Sequence, residues 1–253
     1  MNASRTRAII LRSRHFGEAD RVVTVISEEA GIFDAKIKGA RKPKSKLGPA
    51  CQQFSTVELS LFTGRSMDTV TEASLQRSSE SIERDIVRLT YASLVAELTL
   101  KMSAERQPDP RAYQLVDGAL GAVGGGMDPR AAASAFMIKR LYIDGMMPQL
   151  ACCSMCRAKD DLLWFSPETG GALCPRCAAE APGVMRFGAD AKALAVTLYR
   201  STWDQMSAMA FEDEAAGELE AALSAMFEFR GDIRIRSLET LELIRDAGRG
   251  GGR

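Results

Sequence analysis

Four cysteines constrain this chain more than any other feature. Cys153-Ser-Met-Cys156 and Cys174-Pro-Arg-Cys177 form C-x2-C-x17-C-x2-C, a spacing that suits a four-cysteine zinc site. In each C-x-x-C turn two thiolates reach one ion from a single knuckle. Two knuckles complete a closed tetrahedral shell, with no position left for substrate or activated water. One structural Zn2+ is therefore expected, on a segment that must fold back on itself. Buried thiol pairs, or a redox-active C-x-x-C, are the competing readings, and the doubling of the motif argues against both. Cys152 stands beside Cys153, so Cys152-x3-Cys156 is an alternative chelate. Cys51 is isolated and reads as a small core residue.

Lys plus Arg and Asp plus Glu number 33 each in 253 residues, so charge informs only when resolved along the chain. Residues 1–46 hold eleven Lys/Arg against five Asp/Glu, and residues 35–48 hold six cations and no acid. The stretch 203–229 holds seven carboxylates and no Lys or Arg, and reads as a solvated helix face. Apolar runs stay far below the roughly 18–20 residues that span a bilayer. The short N-terminal apolar run between arginines lacks a signal-peptide pattern. A cytoplasmic protein without a membrane partner is expected.

The first eighty residues read as strands. Phe33, Ala35 and Ile37 alternate with Asp34, Lys36 and Lys38, and Val57, Leu59 and Leu61 with Glu58, Ser60 and Phe62, the period-two pattern of half-buried strands. Ala8–Leu11 and Val22–Ile26 are short β-branched runs. Five short strands suggest a small Greek-key barrel, of which the oligonucleotide-binding (OB) fold is the commonest. From Ser81 the period becomes helical, through Val87, Tyr91, Leu94, Val95, Leu98 and Met102. Asp109-Pro110 and Asp128-Pro129 mark helix starts, the second helix ending near Gly145, and further helices fall near Asp190–Gln205 and Asp213–Phe229. The expected class is α+β and multidomain: an N-terminal OB-fold β-barrel over 1–80, followed by an all-α domain over 81–149 and 181–247. A four-cysteine zinc module interrupts that domain at 150–180, and a disordered tail covers 248–253.

Phosphate binding needs several cations on one surface. Lys36 and Lys38 on a strand, running into Arg41, Lys42, Lys44 and Lys46 in a loop, provide one. Arg12, Arg14, Arg21 and Arg65 extend it if the fold brings them near. Among Phe16, Phe33, Phe54 and Phe62, Phe62 is the best base-stacking candidate because it falls on the polar face of its strand; Phe33 reads as core. His15, the only histidine, has no evident carboxylate or nucleophile partner and reads as structural or surface. No phosphate loop, H-E-x-x-H or deaminase-like H-x-E is present, so neither an enzyme nor a small-molecule substrate is expected.

The run Gly17-Glu-Ala-Asp-Arg-Val-Val-Thr24, then Lys38-Gly-Ala-Arg-Lys-Pro-Lys-Ser-Lys46 and Val57-Glu-Leu59, resembles the RecO family of bacterial DNA repair proteins. The likeness continues through Leu89-Thr-Tyr-Ala92, Glu97-Leu98, Leu150 three residues before Cys153, both cysteine pairs and Ser237-Leu-Glu-Thr-Leu241. It covers nearly the whole chain. The resemblance implies an OB-fold, a helical domain with a zinc module, and a non-enzymatic, nucleoid-associated role in recombinational repair of single-strand gaps. It further implies binding of single- and double-stranded DNA and annealing of complementary strands. With RecR, such a protein loads RecA onto DNA coated by single-strand-binding protein. By the same likeness Lys36–Lys46 belong to the DNA surface, and Cys153, Cys156, Cys174 and Cys177 are the zinc ligands. Some relatives lack a complete cysteine set, so zinc is not essential to the shared activity. The family also binds the acidic C-terminal tail of single-strand-binding protein; Lys139 and Arg140 are the two cations put forward for it. The competing functions are a zinc-ribbon transcription or assembly factor, recognised by tight binding to one defined duplex, and a thiol oxidoreductase.

Overall fold

Residues 3–45, 47–64 and 67–250 are described by a computed structural model. They divide into two compact units at Gly124/Gly125.

In the first unit β1 (Ala3–Phe16), β2 (Asp20–Ser27), β3 (Gly31–Ile37), β4 (Thr56–Phe62) and β5 (Asp68–Arg77) close into a barrel of order β1-β2-β3-β5-β4. A short α1 (Leu47–Ala50) joins β3 to β4, which is the OB-fold arrangement. Ile10, Val23, Val25, Phe33, Ala35, Ile37, Val57, Leu59, Leu61 and Val70 point inward, following the alternation of the sequence. β1 is much longer than the expected Ala8–Leu11 because it serves two neighbours. Its first half pairs with β4 and its second with β2, and an irregularity between Ile10 and Arg12 marks the change. All neighbours are antiparallel except β3 and β5, which run parallel and, among the described residues, pair only through Ala35–Asp68 and Lys36–Thr69.

The helix expected from Ser81 is two: α2 (Glu80–Glu83) and α3 (Ile86–Met102). Asp85 separates them, its carboxylate capping α3 by accepting the N–H groups of Val87 and Arg88 at 2.9 and 3.1 Å. Asp109 caps α4 (Pro110–Gly124) in the same way. Asp117 of α4 pairs with Arg7 of β1 and Arg77 of β5 at 3.3 and 2.8 Å, and accepts the Thr56 hydroxyl of β4. These contacts place α3 and α4 in the barrel's unit, so the helical region expected from 81 is shared between the two units. Between α3 and α4 the chain lies along β3, with the Arg106 N–H donating to the Ile32 carbonyl and its guanidinium reaching Asp68 at 3.0 Å. Gly31, at φ +65°, permits this approach, since a Cβ there would sit 2.1 Å from the Gln107 carbonyl oxygen.

The second unit is built around α5 (Pro129–Ile143), capped by Asp128 and buried along Ala131–Ile138. Then come β6 (Trp164–Ser166), β7 (Gly171–Leu173), α6 (Pro175–Ala178) and β8 (Met185–Arg186), the three strands forming a sheet of order β7-β6-β8. The helix expected near 190–205 is α7 (Ala189–Arg200) and α8 (Trp203–Ser207), parted by the Thr202/Gln205 capping box. α9 (Asp213–Gly231) and α10 (Arg236–Gly250) complete the unit. α10 carries the backbone of 248–250, so the tail expected to be disordered from 248 begins inside a helix; 251–253 lie outside the described residues. No helix among the described residues is long and apolar enough to cross a membrane.

Candidate nucleic-acid interface and metal centre

Register decides which side chains share the barrel's outer surface. Phe62 pairs with Thr69, Thr69 with Lys36, Lys36 with Val22 and Val22 with Arg14. These five residues form one row across β4, β5, β3, β2 and β1. Their chain neighbours Leu61, Val70, Ala35 and Val23 are in the core, which turns the row outward; Val22 is itself covered, so the accessible members are Phe62, Thr69, Lys36 and Arg14. Arg12, opposite Thr24 on β1, belongs to the same face.

Lys36 sits mid-row with its Nζ 2.9 Å from the Asp20 carboxylate and 4.7 Å from the centroid of the Phe16 ring. Arg14 pairs with Asp34 at 2.9 Å, and Asp34 also accepts the Thr24 hydroxyl. The acid-free appearance of the cationic run is therefore incomplete: strand pairing brings Asp20 and Asp34, which lie outside 35–48, against two of the expected cations. Lys38, Arg41, Lys42 and Lys44 are exposed, as is Arg12. No carboxylate lies within 4.0 Å of the charged groups of these five among the described residues. Lys46 and Arg65 lie outside the described residues.

The loop that carries the free cations is anchored. Gly39, at φ +65°, donates its N–H to Asp20 at 2.7 Å; the Arg41 N–H and guanidinium donate to the Ala19 and Glu18 carbonyls at 2.9 and 3.0 Å. The Gly39 N–H, and then Lys36, hold the Asp20 carboxyl below its ordinary range. Two rings stand exposed on the barrel, Phe62 at 40% and Phe16 at 43%, whereas Phe33 and Phe54 are core. The sequence singled out Phe62 and not Phe16. The signal for Phe16 was parity: it follows Arg12 and Arg14 at steps of two and so shares their outward face.

In the second unit the Sγ atoms of Cys153, Cys156, Cys174 and Cys177 lie within 4.8 Å of one another, those of Cys156 and Cys174 at 3.7 Å. Four thiolates about 2.3 Å from one tetrahedral ion stand about 3.8 Å apart, so the cluster fits a four-coordinate metal. The first knuckle is turned by Arg157, at φ +67°, whose N–H donates to the Cys153 carbonyl at 3.0 Å. The second is the start of α6, where the Ala178 N–H returns to the Cys174 carbonyl. Ser154 N–H donates to Ala172 of β7 at 2.9 Å, which brings the knuckles together.

Cys153 is buried within the cluster, while Cys152 is half-buried outside it with its sulfur 3.8 Å from Arg157. Burial raises the Cys153 thiol, but the N–H groups of Cys156, Cys174 and Met155 outweigh it and lower the thiol to about 6. Cys177 is pushed up to about 12, first by its hydrogen bond to Cys156. Four crowded thiols thus resist ionising together, a conflict that a divalent cation resolves. Arg176, held charged by Cys156, adds a compensating cation. Cys51 is in the barrel core, where burial pushes it up to about 11.

Lys139 and Arg140 are both engaged inside the second unit. Lys139 Nζ donates to the carbonyls of Tyr199 and Ser201 at 2.8 and 2.9 Å. Arg140 is 2% exposed and pairs with Asp144 at 2.7 Å.

The family description "Recombination protein O N terminal" matches residues 1–79, and "Recombination protein O C terminal" matches 83–239. The DNA repair protein RecO of Symbiobacterium thermophilum is 33% identical over 244 residues, covering 94% of this chain and 96% of the relative. That of Desulforamulus reducens is 29% identical over 247 residues, covering 97% and 96%. That of Halalkalibacterium halodurans is 24% identical over 244 residues, covering 96% of each.

Proposed function

The chain belongs to the RecO family of DNA repair proteins, and from that premise we propose that it is a recombination mediator that works by binding rather than by turnover. It binds single- and double-stranded DNA on the barrel, anneals complementary strands, and with RecR helps load RecA onto DNA coated by single-strand-binding protein, whose acidic tail it contacts. It acts in the cytoplasm, at the nucleoid. The observation that supports this most is the outward row Phe62–Thr69–Lys36–Val22–Arg14, continued by the free cations of the anchored loop.

Two strands approach one another only if their phosphate charge is neutralised. Lys38, Arg41, Lys42, Lys44 and Arg12 supply that charge without a competing carboxylate. Lys36 and Arg14 can exchange Asp20 and Asp34 for a phosphate, a smaller electrostatic gain that leaves the strand free to move on. Phe16 and Phe62, on either side of Lys36, suit stacking of unpaired bases, which is tolerant of sequence. Cys153, Cys156, Cys174 and Cys177 would hold one Zn2+, supplying a closed tetrahedral cross-link with no open position for chemistry.

The test is annealing of complementary strands coated with single-strand-binding protein, comparing wild type with K38A/R41A/K42A/K44A, whose folding is verified by circular dichroism. Annealing by wild type and not by the folded variant is expected. Equal annealing by both would move the DNA site off this loop. Annealing by neither would remove the proposed activity.

A further inference from the structure

His15 and Arg21 have the opposite parity from the outward row. They pair with each other, and Arg21 with Ile37, which is in the core. At this end the barrel opens into a cleft of about 420 Å³, lined by His15, Arg21, Arg41, Lys42, Ser45 and Gln52 among others, with no Asp or Glu in its wall. The Nε of Arg21 is withdrawn from solvent and has no acceptor among the described residues. An unmet guanidinium N–H is costly unless a partner reaches it, and the same side chain lines this acid-free cleft, where an anion would supply one. The adjoining hollow shares His15, Arg21 and Gln52 and contains Glu83, whose carboxylate accepts the Ser79 hydroxyl at 2.6 Å. Glu83 thus lines the adjoining hollow and not the cleft.

The walls are held in place. Gly48 of α1 lies so close to the loop that a Cβ would meet the Ala40 carbonyl oxygen at 2.3 Å, and Gln53 beside Gln52 donates to the Leu11 carbonyl at 3.1 Å. Arg41 lines this cleft while belonging to the loop that extends the outward row, so one strand can touch both surfaces across that loop.

We propose that the cleft anchors one phosphate group of the bound strand, with the half-buried Arg21 guanidinium, Arg41 and Lys42 as its cationic donors. The proposal rests on DNA binding by the barrel. A duplex-stiff backbone cannot follow such a turn as readily as a flexible one, so the anchor favours single strands.

His15 is the only histidine of the chain, which makes its imidazole a single-resonance probe of the cleft. Full-length protein with 13C-labelled histidine is titrated with a dT oligomer and, separately, with inorganic phosphate. The expected result is a His15 shift that saturates with oligomer binding. R21Q should abolish that shift and reduce the log–log salt slope of oligomer binding by about 0.7, the loss of one contact to a single strand. R21K should keep the slope. If wild type binds the oligomer while His15 stays silent and R21Q leaves the slope unchanged, the anchor is refuted and DNA binding by the barrel stands. If wild type binds no oligomer, the proposed function fails. The phosphate titration then decides the cleft: a His15 shift lost in R21Q keeps it as an anion site, and silence removes it. Should R21Q not fold, the wild-type titrations and R21K separate the same outcomes.

Discussion

The four-cysteine cluster draws its side chains from the single segment Cys153–Cys177 and two local turns, whereas the barrel face draws Arg14, Lys36, Phe62 and Thr69 from four strands. The first, around a metal ion, would be a closed shell in which each ligand completes the others. The second is an open row in which each side chain stands on a scaffold it does not hold up. The centre should therefore fail all at once, and the face by degrees.

The largest effect is expected from breaking the shell. Structural zinc contributes about 10–16 kcal/mol of apparent binding energy in isolated zinc-finger peptides, so C174S should drop bound zinc from one per chain to none. Limited proteolysis should then open the segment 150–187, while dT-oligomer binding by the barrel survives. An unchanged digestion pattern after complete metal removal would show that the shell is not structural. Next comes the loop. If about three of its cations meet phosphates, they contribute roughly −2 to the single-strand salt slope, and K38A/R41A/K42A/K44A should remove that share while the contacts of the barrel strands remain. Its melting temperature should stay near wild type: Lys38, Lys42 and Lys44 are exposed without carboxylate partners and contribute within about 0.5 kcal/mol to folding, and R41A removes the exposed bond to the Glu18 carbonyl while the Arg41 N–H stays on Ala19.

Single rings should do less. F16A and F62A are each expected to weaken dT-oligomer binding by about 1–3 kcal/mol, the range for one stacked base, with the salt slope preserved. A change of slope in F16A instead would mean that this ring only positions Lys36. The smallest effect concerns Asp20. Its carboxyl is depressed by the Gly39 N–H and Lys36, so its contribution to loop anchoring is present above the ordinary carboxylate value near 3.9. That contribution is lost as pH falls through the lower folded value. Amide exchange at Gly39, followed by NMR on acidification, should rise in that window, and D20N should remove the transition.

Legibility in the sequence followed the same division. The cysteine cluster could be read from spacing because its geometry is made within two short turns, although choosing Cys153 over Cys152 needed the burial of the first knuckle. The inward residues of β3 and β4 were legible from alternation. The neighbours of Lys36 and Arg14 were not, because Asp20 and Asp34 reach them only through the pairing of β1, β2 and β3. The breaks at Asp85 and Thr202 each fall within a continuous helical period, where only a capping side chain marks the change. α10 gave little apolar signal, since Leu241 is its buried anchor while Leu243 is 71% exposed. The grouping of α3 and α4 with the barrel depended on Asp117, a carboxylate whose partners Arg7, Thr56 and Arg77 come from three strands.

The seam between β3 and β5 has one more consequence. Every other seam of the barrel is a long antiparallel ladder, but among the described residues this one is stitched at Ala35–Asp68 and Lys36–Thr69 alone. Beside it the chain at 105–107 acts as a splint, with the Arg106 N–H on Ile32 and its guanidinium on Asp68. Amide protons next to the stitch should exchange faster than those of the β1–β2 ladder, since local opening is easiest where the fewest bonds must break. Local opening at this seam would displace Lys36 itself, so the mobility of the row's central cation is tied to the connection between α3 and α4.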